Sequence, residues 1–176
     1  IDVQRRIGLG ITGLADALIQ CGVRYGTPEA TRFAGRWMRV VSEAAYRASA
    51  ALAAEKGAFP LCDATALLKR PNLRRLPDDI RRAVAKHGLR NGLVTSIAPT
   101  GTISLLAGNV SSGIEPIFAL AYVRNVMDNT ELPEAHPALE AVLKRRGLYS
   151  EELMKSIAAV GGLHDMDVPD DLKSRW

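Results

Sequence analysis

Residues 93–124 read LVTSIAPTGTISLLAGNVSSGIEPIFALAYVR, and this stretch decides which fold the sequence predicts. Its first part, residues 93–97, is mostly apolar or β-branched, which favours a buried strand over a helix. Pro99 and Gly101 then interrupt regular backbone pairing. A short helix is expected over residues 103–107, ended by a Gly-Asn pair. The predicted order is therefore strand, turn and helix start.

The turn in this stretch is expected to favour an anionic ligand. Thr100, Thr102 and Ser104 carry hydroxyl groups, and Gly101 has no Cβ to obstruct a close approach. The first amides of a helix have no acceptor within it and carry about half a positive charge. An ordinary N-cap, in which Thr100 or Thr102 satisfies its own helix, is equally compatible with the spacing. No Walker lysine follows the glycine, so the turn is not a standard P-loop.

Several segments resemble one enzyme family. The motif PTGTIS, followed by SSGIEPIFALAYVR, resembles the catalytic domain of ribonucleotide reductases, and most closely the adenosylcobalamin-dependent class II enzymes. Residues 6–16, RIGLGITGLAD, resemble the RxGLGxxGLAD segment of that family. Residues 147–153, GLYSEEL, and residues 168–172, VPDDL, resemble class II sequence as well. The similarity covers nearly the whole chain in a single order.

This resemblance implies a fold, a reaction and a set of partners. The fold would be of the helix-rich α/β class, with residues 1–176 forming a partial catalytic domain, a fragment of the family's ten-stranded α/β barrel. The reaction would convert ribonucleoside diphosphates to deoxyribonucleotides by radical chemistry, with adenosylcobalamin as the cofactor of the full enzyme. The partners would be the ribonucleotide substrate and the remainder of the reductase chain, and a homo-oligomer is left open.

The resemblance also implies which residues bind the substrate's phosphates. Thr100 and Thr102 would donate hydroxyl hydrogen bonds, and the amides from Gly101 onward would complete the site. Ser104 and Glu115 are candidate supporting residues, and Glu115 is better suited to accept backbone N–H groups than to react. The complete predicted turn consists of Ala98, Pro99, Thr100, Gly101, Thr102 and Ile103.

No catalytic residue and no metal ligand is assigned in this chain. The family's radical chemistry needs a cysteine in an Asn-x-Cys-x-Glu motif on a finger loop, together with a redox cysteine pair. Cys21 and Cys62 lack those contexts, and neither has the spacing of a zinc site or a disulfide scaffold. His136 and His164 are expected in loops without ligand partners. The finger loop is expected to precede residue 1, so the isolated chain should be inactive.

Composition limits the alternative functions. A hydrophobic share of 47% and a charged share of 24% indicate a folded domain, and unpaired thiols suit the cytoplasm. The net charge of +4 leaves a basic nucleic-acid-binding domain open, although a solvated helix face is the preferred explanation for the basic residues between positions 69 and 90. A catalytically silent helical interaction domain is the other alternative. No apolar run approaches the ~20 residues of a membrane span, and no signal peptide is recognised.

The rest of the sequence predicts mostly helices. Residues 8–13, GLGITG, are expected to allow close packing rather than to hold a nucleotide, because no clear strand precedes them. The other predicted elements are a long amphipathic helix from Pro28 to about Lys56, a helix from Asp78 to Gly88, a largely buried strand over 114–123, a polar connection over 129–137, and helices over 138–146 and 151–160.

Overall fold

The computed structural model describes residues 3–126 and 130–176. The helices are α1 (Leu14–Gln20), α2 (Pro28–Lys56), α3 (Ala64–Leu68), α4 (Pro71–Arg74), α5 (Asp78–His87), α6 (Gly101–Leu106), α7 (Pro137–Arg145), α8 (Glu151–Val160) and α9 (Asp170–Lys173). The strands are β1 (Ala121–Val126) and β2 (Thr130–Ala135). The chain forms two compact units, one from the described residues up to Ile11 with Ala34–Ala98, the other from Thr12–Phe33 with Pro99–Trp176.

Local sequence signals set the ends of the longer helices. Thr27 precedes α2, and its Oγ1 accepts a hydrogen bond from the amide of Ala30 at 3.2 Å. Ser150 caps α8 in the same way through the amide of Leu153. The residues that follow α2, α5 and α8 are glycines with φ of 80°, 72° and 81°, a conformation that side-chain-bearing residues rarely adopt. The predicted boundaries of these helices are therefore confirmed to within a residue or two.

The first unit buries one apolar cluster between its helices. The cluster consists of Ala50, Phe59, Leu67, Leu73, Leu76, Ile80, Val84 and Leu89. Beside it, the segment around Leu9 runs parallel to the segment around Thr95, with a hydrogen bond of 3.0 Å from the Leu9 amide to the carbonyl of Val94. A Cβ added at Gly10 would lie 2.8 Å from the backbone oxygen of Ser96. Gly10 of GLGITG thus permits close packing, as predicted.

The strand predicted over residues 93–97 is only partly correct. Val94 is 2% exposed, but Leu93 and Ile97 are 48% and 71% exposed. The segment makes a single isolated bridge, Leu9 with Thr95, instead of a ladder within the described residues. Because the segment is bridged to only one short stretch of chain, around Leu9, Val94 is buried while Leu93 and Ile97 stay exposed.

The second unit places a two-stranded sheet against α8. Strands β1 and β2 are antiparallel, and Ala121 pairs with Ala135 at one end of the ladder. The buried apolar cluster of this unit consists of Leu120, Ala121, Leu139, Leu143, Met154, Ile157, Leu163, Val168 and Leu172. This cluster fixes the sheet and the helices that follow it.

Two predictions for this unit were wrong. The buried strand expected over 114–123 begins only at Ala121, and Phe118 is fully exposed in the loop before it. The polar connection expected over 129–137 contains β2, although Asn129 itself lies outside the described residues. Pro116 cannot donate to a ladder, which explains why the apolar run before β1 does not pair. Helices dominate the described chain, and the sheet is small.

None of the helices in the described ranges has the length and apolarity needed to cross a membrane.

Candidate functional site

The predicted phosphate turn leads directly into α6, which starts at Gly101, two residues earlier than expected. Thr100 is the N-cap residue and adopts a left-handed conformation, with φ 52° and ψ 24°. Its carbonyl accepts the amide of Ser104 at 2.7 Å, which closes the first helical turn. The helix ends at Leu106, before Gly108 and Asn109, which both have positive φ.

The amides at the start of α6 are available to a ligand. Within residues 3–126 and 130–176, no acceptor takes the N–H groups of Gly101, Thr102 or Ile103. Thr100 makes no side-chain cap hydrogen bond to them. The ordinary N-cap, which the sequence left open for Thr100, is therefore not the arrangement in the structure. Three adjacent donors remain at the positive end of the helix.

Open space adjoins the first of these donors, Gly101. Gly101 lines a cavity of about 700 Å³ together with Ser104, Ser112, Glu115 and His136. A Cβ added at Gly101 would meet no atom within 4 Å, so nothing crowds its backbone. The turn thus combines unused donors with room for a polar group.

The hydroxyl of Thr100 is engaged by the protein. Its Oγ1 accepts a hydrogen bond from the amide of Gly113 at 2.6 Å and lies 2.9 Å from Oγ1 of Thr12. Thr12 donates its own proton to the carbonyl of Ser111 at 2.9 Å. Because a hydroxyl carries one proton, Thr100 must donate to Thr12. Thr100 then has no proton for a ligand, whereas the exposed Thr102 forms no hydrogen bond with any described residue.

The two candidate supporting residues differ in their contacts. Ser104 is 3% exposed, and its Oγ donates to the carbonyl of Gly101 at 2.8 Å and lies 3.2 Å from Oγ of Ser112. It therefore braces the first residue of α6. Glu115 is exposed at the cavity wall, and its amide donates to the carbonyl of Ser112 at 2.8 Å. Among the described residues its carboxylate accepts no backbone N–H group, contrary to expectation.

The sequence did not predict a buried pair of ionisable residues, Asp16 and His136, of which His136 lines the same cavity. Nε2 of His136 lies 3.1 Å from Oδ1 of Asp16, and both residues are less than a tenth exposed. The other oxygen of Asp16 accepts the amide of Ser111 at 2.7 Å. Neither ring nitrogen of His136 completes a hydrogen bond of good geometry with a described residue. Burial lowers the pKa of His136, and the nearby carboxylate of Asp16 only partly offsets this effect.

His136 lies in the loop between β2 and α7, as expected, but the sequence did not reveal that it faces Asp16. These two residues are 120 positions apart, and only the fold brings them together. The sequence signal that could have suggested the pair was the acidic residue inside the otherwise apolar LAD segment. In the part of the chain that the structure describes, no three His, Cys, Asp or Glu side chains converge as a metal site would require. Cys21 and Cys62 are free thiols.

Comparison with known proteins identifies the family. The model of the ribonucleotide reductase barrel domain matches residues 1–174. The chain belongs to this family, as its motifs predicted.

Individual relatives agree with that assignment. A vitamin B12-dependent ribonucleoside-diphosphate reductase of Thermoplasma acidophilum is 40% identical over 169 residues, covering 96% of this chain and 20% of the relative. An enzyme of the same description from Mycobacterium tuberculosis is 41% identical over 159 residues, covering 90% of this chain and 20% of the relative. The chain thus spans about a fifth of the length of these relatives.

A solved structure supports the fold. The class Id ribonucleotide reductase alpha subunit of Actinobacillus ureae aligns with a TM-score of 0.70 at 22% identity, over 99% of this chain and 28% of that subunit. At this identity the likeness concerns the fold alone.

Proposed function

We propose that this chain supplies the substrate phosphate-binding turn of a reductase that converts ribonucleoside diphosphates to deoxyribonucleotides. The observation that carries the proposal is the set of unused amides at Gly101, Thr102 and Ile103, with open space beside Gly101. The turn comprises these residues with Ala98, Pro99 and Thr100. Membership of the ribonucleotide reductase family supports the proposed reaction. The unused amides of the turn support the assignment of the substrate's phosphates as the group that is bound there.

The chemistry of the turn suits a diphosphate. Three amides and the positive end of α6 would donate to the phosphate oxygens, and the exposed hydroxyl of Thr102 would add a fourth donor. Hydrogen bonds to a charged group contribute about 1.5–3 kcal/mol each, so several together can fix the position of a nucleotide. Ser104 would hold the carbonyl of Gly101 in place while these amides are occupied.

The remaining features of the whole enzyme are proposed from the relatives. Two of them are named as vitamin B12-dependent reductases, so adenosylcobalamin is the proposed cofactor, supplying the radical chemistry when bound. No residue of this chain is assigned to hold it. The chain would form part of a ten-stranded barrel completed by the remainder of the reductase, in the cytoplasm.

A binding experiment tests the proposal. In a full-length reductase that carries residues 1–176, CDP is titrated by calorimetry against the wild type and Thr102→Val, which removes one hydroxyl and keeps the shape. The loss of one charge-assisted hydrogen bond should weaken binding about tenfold. Thr65→Val is the matched control, since Thr65 is an exposed threonine on α3 in the other unit and should leave the affinity unchanged.

The alternatives predict different results. Equal CDP affinities for the wild type and Thr102→Val would contradict the assignment of the turn. Salt-dependent association with duplex DNA, without CDP binding, would favour a basic nucleic-acid-binding domain instead. If the protein binds neither CDP nor duplex DNA, a catalytically silent interaction domain is favoured.

A further inference from the structure

Thr100 has an unusual conformation for the residue that precedes a helix. A threonine at an N-cap normally has extended backbone angles, and its hydroxyl accepts one of the first helical amides. Ser150 does this before α8, with φ −144° and a bond of 3.1 Å from the amide of Leu153. Thr100 instead has φ 52° and makes no such bond. The left-handed conformation is unfavourable for a β-branched residue, so contacts outside the helix must stabilise it.

Those contacts are the two hydrogen bonds of the Thr100 hydroxyl. It accepts from the amide of Gly113 and donates to Thr12, whose own proton is given to Ser111. Both partners, Thr12 and Gly113, lie outside α6. The conformation of Thr100 and the availability of the helix amides therefore have a common cause.

Thr12 is itself held rigidly. The amide of Gly13 donates to the carbonyl of Ser111 at 2.8 Å, and the amide of Ala15 donates to Oγ of Ser111 at 3.1 Å. Asp16 accepts the amide of the same serine at 2.7 Å. The segment that contains Thr12 is thus fastened at several points to the loop that contains Gly113. A rigid acceptor at Thr12 can impose an orientation on the hydroxyl of Thr100.

We propose that Thr12 is a positioning residue that keeps the start of α6 uncapped. By taking the proton of Thr100, it holds that residue in the left-handed conformation and leaves the amides of Gly101, Thr102 and Ile103 available to the substrate. Without it, Thr100 can return to the extended conformation and cap its own helix, which occupies one of these amides. The identity of the ligand in this inference rests on the proposed function. The claim about the conformation of Thr100 rests on the hydrogen bonds alone.

Two substitutions at position 12 test the role of the hydroxyl. In a full-length reductase that carries residues 1–176, Thr12→Val removes the acceptor without changing the shape, and Thr12→Ser retains it. CDP binding should weaken about tenfold in Thr12→Val and stay within about threefold of the wild type in Thr12→Ser. Equal affinities for Thr12→Val and the wild type would overturn the proposal.

A second-site substitution separates positioning from simple loss of packing. Glycine adopts positive φ without support and has no hydroxyl with which to cap the helix, so Thr100→Gly should restore CDP binding in the Thr12→Val background. A double variant that binds as weakly as Thr12→Val would contradict the mechanism. If the wild type itself does not bind CDP, the proposed function fails, and the crystal structure of Thr12→Val decides the conformational claim. Thr100 should then have extended angles, and a retained left-handed conformation would refute the role of Thr12.

Discussion

Asp16 is expected to be the most sensitive single position beside the site. The residue is 7% exposed, and its carboxylate accepts the amide of Ser111 at 2.7 Å and lies 3.1 Å from His136. Asp16→Ala removes a charge-assisted hydrogen bond and leaves a buried amide without an acceptor, which together should lower the free energy of unfolding by about 3 kcal/mol. Asp16→Asn keeps an oxygen for that amide and should cost about 1 kcal/mol.

Urea denaturation at pH 7.5, with a constant slope across the variants, measures these differences. The control is Asp171→Ala, because Asp171 pairs with Arg146 at the surface and its loss should change the stability far less than the loss of Asp16. A change of less than about 0.5 kcal/mol in Asp16→Ala, below the usual cost of orphaning a buried amide, would refute this account of the buried pair.

The same pair predicts a pH dependence. Burial lowers the pKa of His136 below its ordinary value of 6.5, so the unfolded chain binds this proton more readily than the folded chain. The stability that the neutral histidine contributes is therefore fully present when the pH is above 6.5. It declines as the pH falls below 6.5 towards the lower pKa that His136 has in the folded state. The carboxylate of Asp16 opposes the effect of burial, so Asp16→Asn should make this acid loss larger. An unchanged difference between pH 7.5 and 5.5 in Asp16→Asn would contradict this electrostatic role.

Two further predictions concern the fold and the limits of the isolated chain. In thermal unfolding, Gly88→Ala should destabilise the chain more than Gly57→Ala. Both glycines have positive φ, but only a Cβ at position 88 would lie 2.9 Å from atoms of Ala58 and Cys62. Equal losses of stability in the two variants would contradict this. The isolated 176-residue chain should form no deoxynucleotide from CDP with adenosylcobalamin and a dithiol, since it lacks the cysteine motifs of the family, and measurable turnover would refute this.

Helix boundaries were predictable because short-range chemistry determines them. The Thr-Pro pair before α2, the serine before α8 and the glycines after three helices act through neighbours a few residues away. The family could be inferred for a similar reason, since its motifs are contiguous in the sequence. These signals require no knowledge of tertiary contacts.

The errors occurred where long-range contacts decide the structure. The apolar run before Ala121 suggested burial, yet Phe118 is exposed, because hydrophobicity alone does not provide a pairing partner. Strand β2 reads TELPEA, a sequence with little strand propensity, and it is paired because β1 lies beside it. In both segments, tertiary contacts determined the structure more than the local sequence did.

The local structure of the candidate site was predictable only in part for the same reason. The sequence located the turn at Pro99 and Gly101, but it could not show that Thr12, 88 residues away, takes the proton of Thr100. It also could not show that Asp16 faces His136. A hydroxyl group in a motif indicates that a hydrogen bond can form there, but only the fold shows which acceptor takes the proton.

The most direct test of the central claim is a crystal structure of a full-length reductase that carries residues 1–176, with CDP bound. Diphosphate oxygens are expected at about 2.7–3.2 Å from the amide nitrogens of Gly101, Thr102 and Ile103. The Thr100 hydroxyl should remain on Thr12 and Gly113. A diphosphate bound elsewhere, with these amides donating to protein acceptors, would refute the assignment of the turn as the phosphate-binding site.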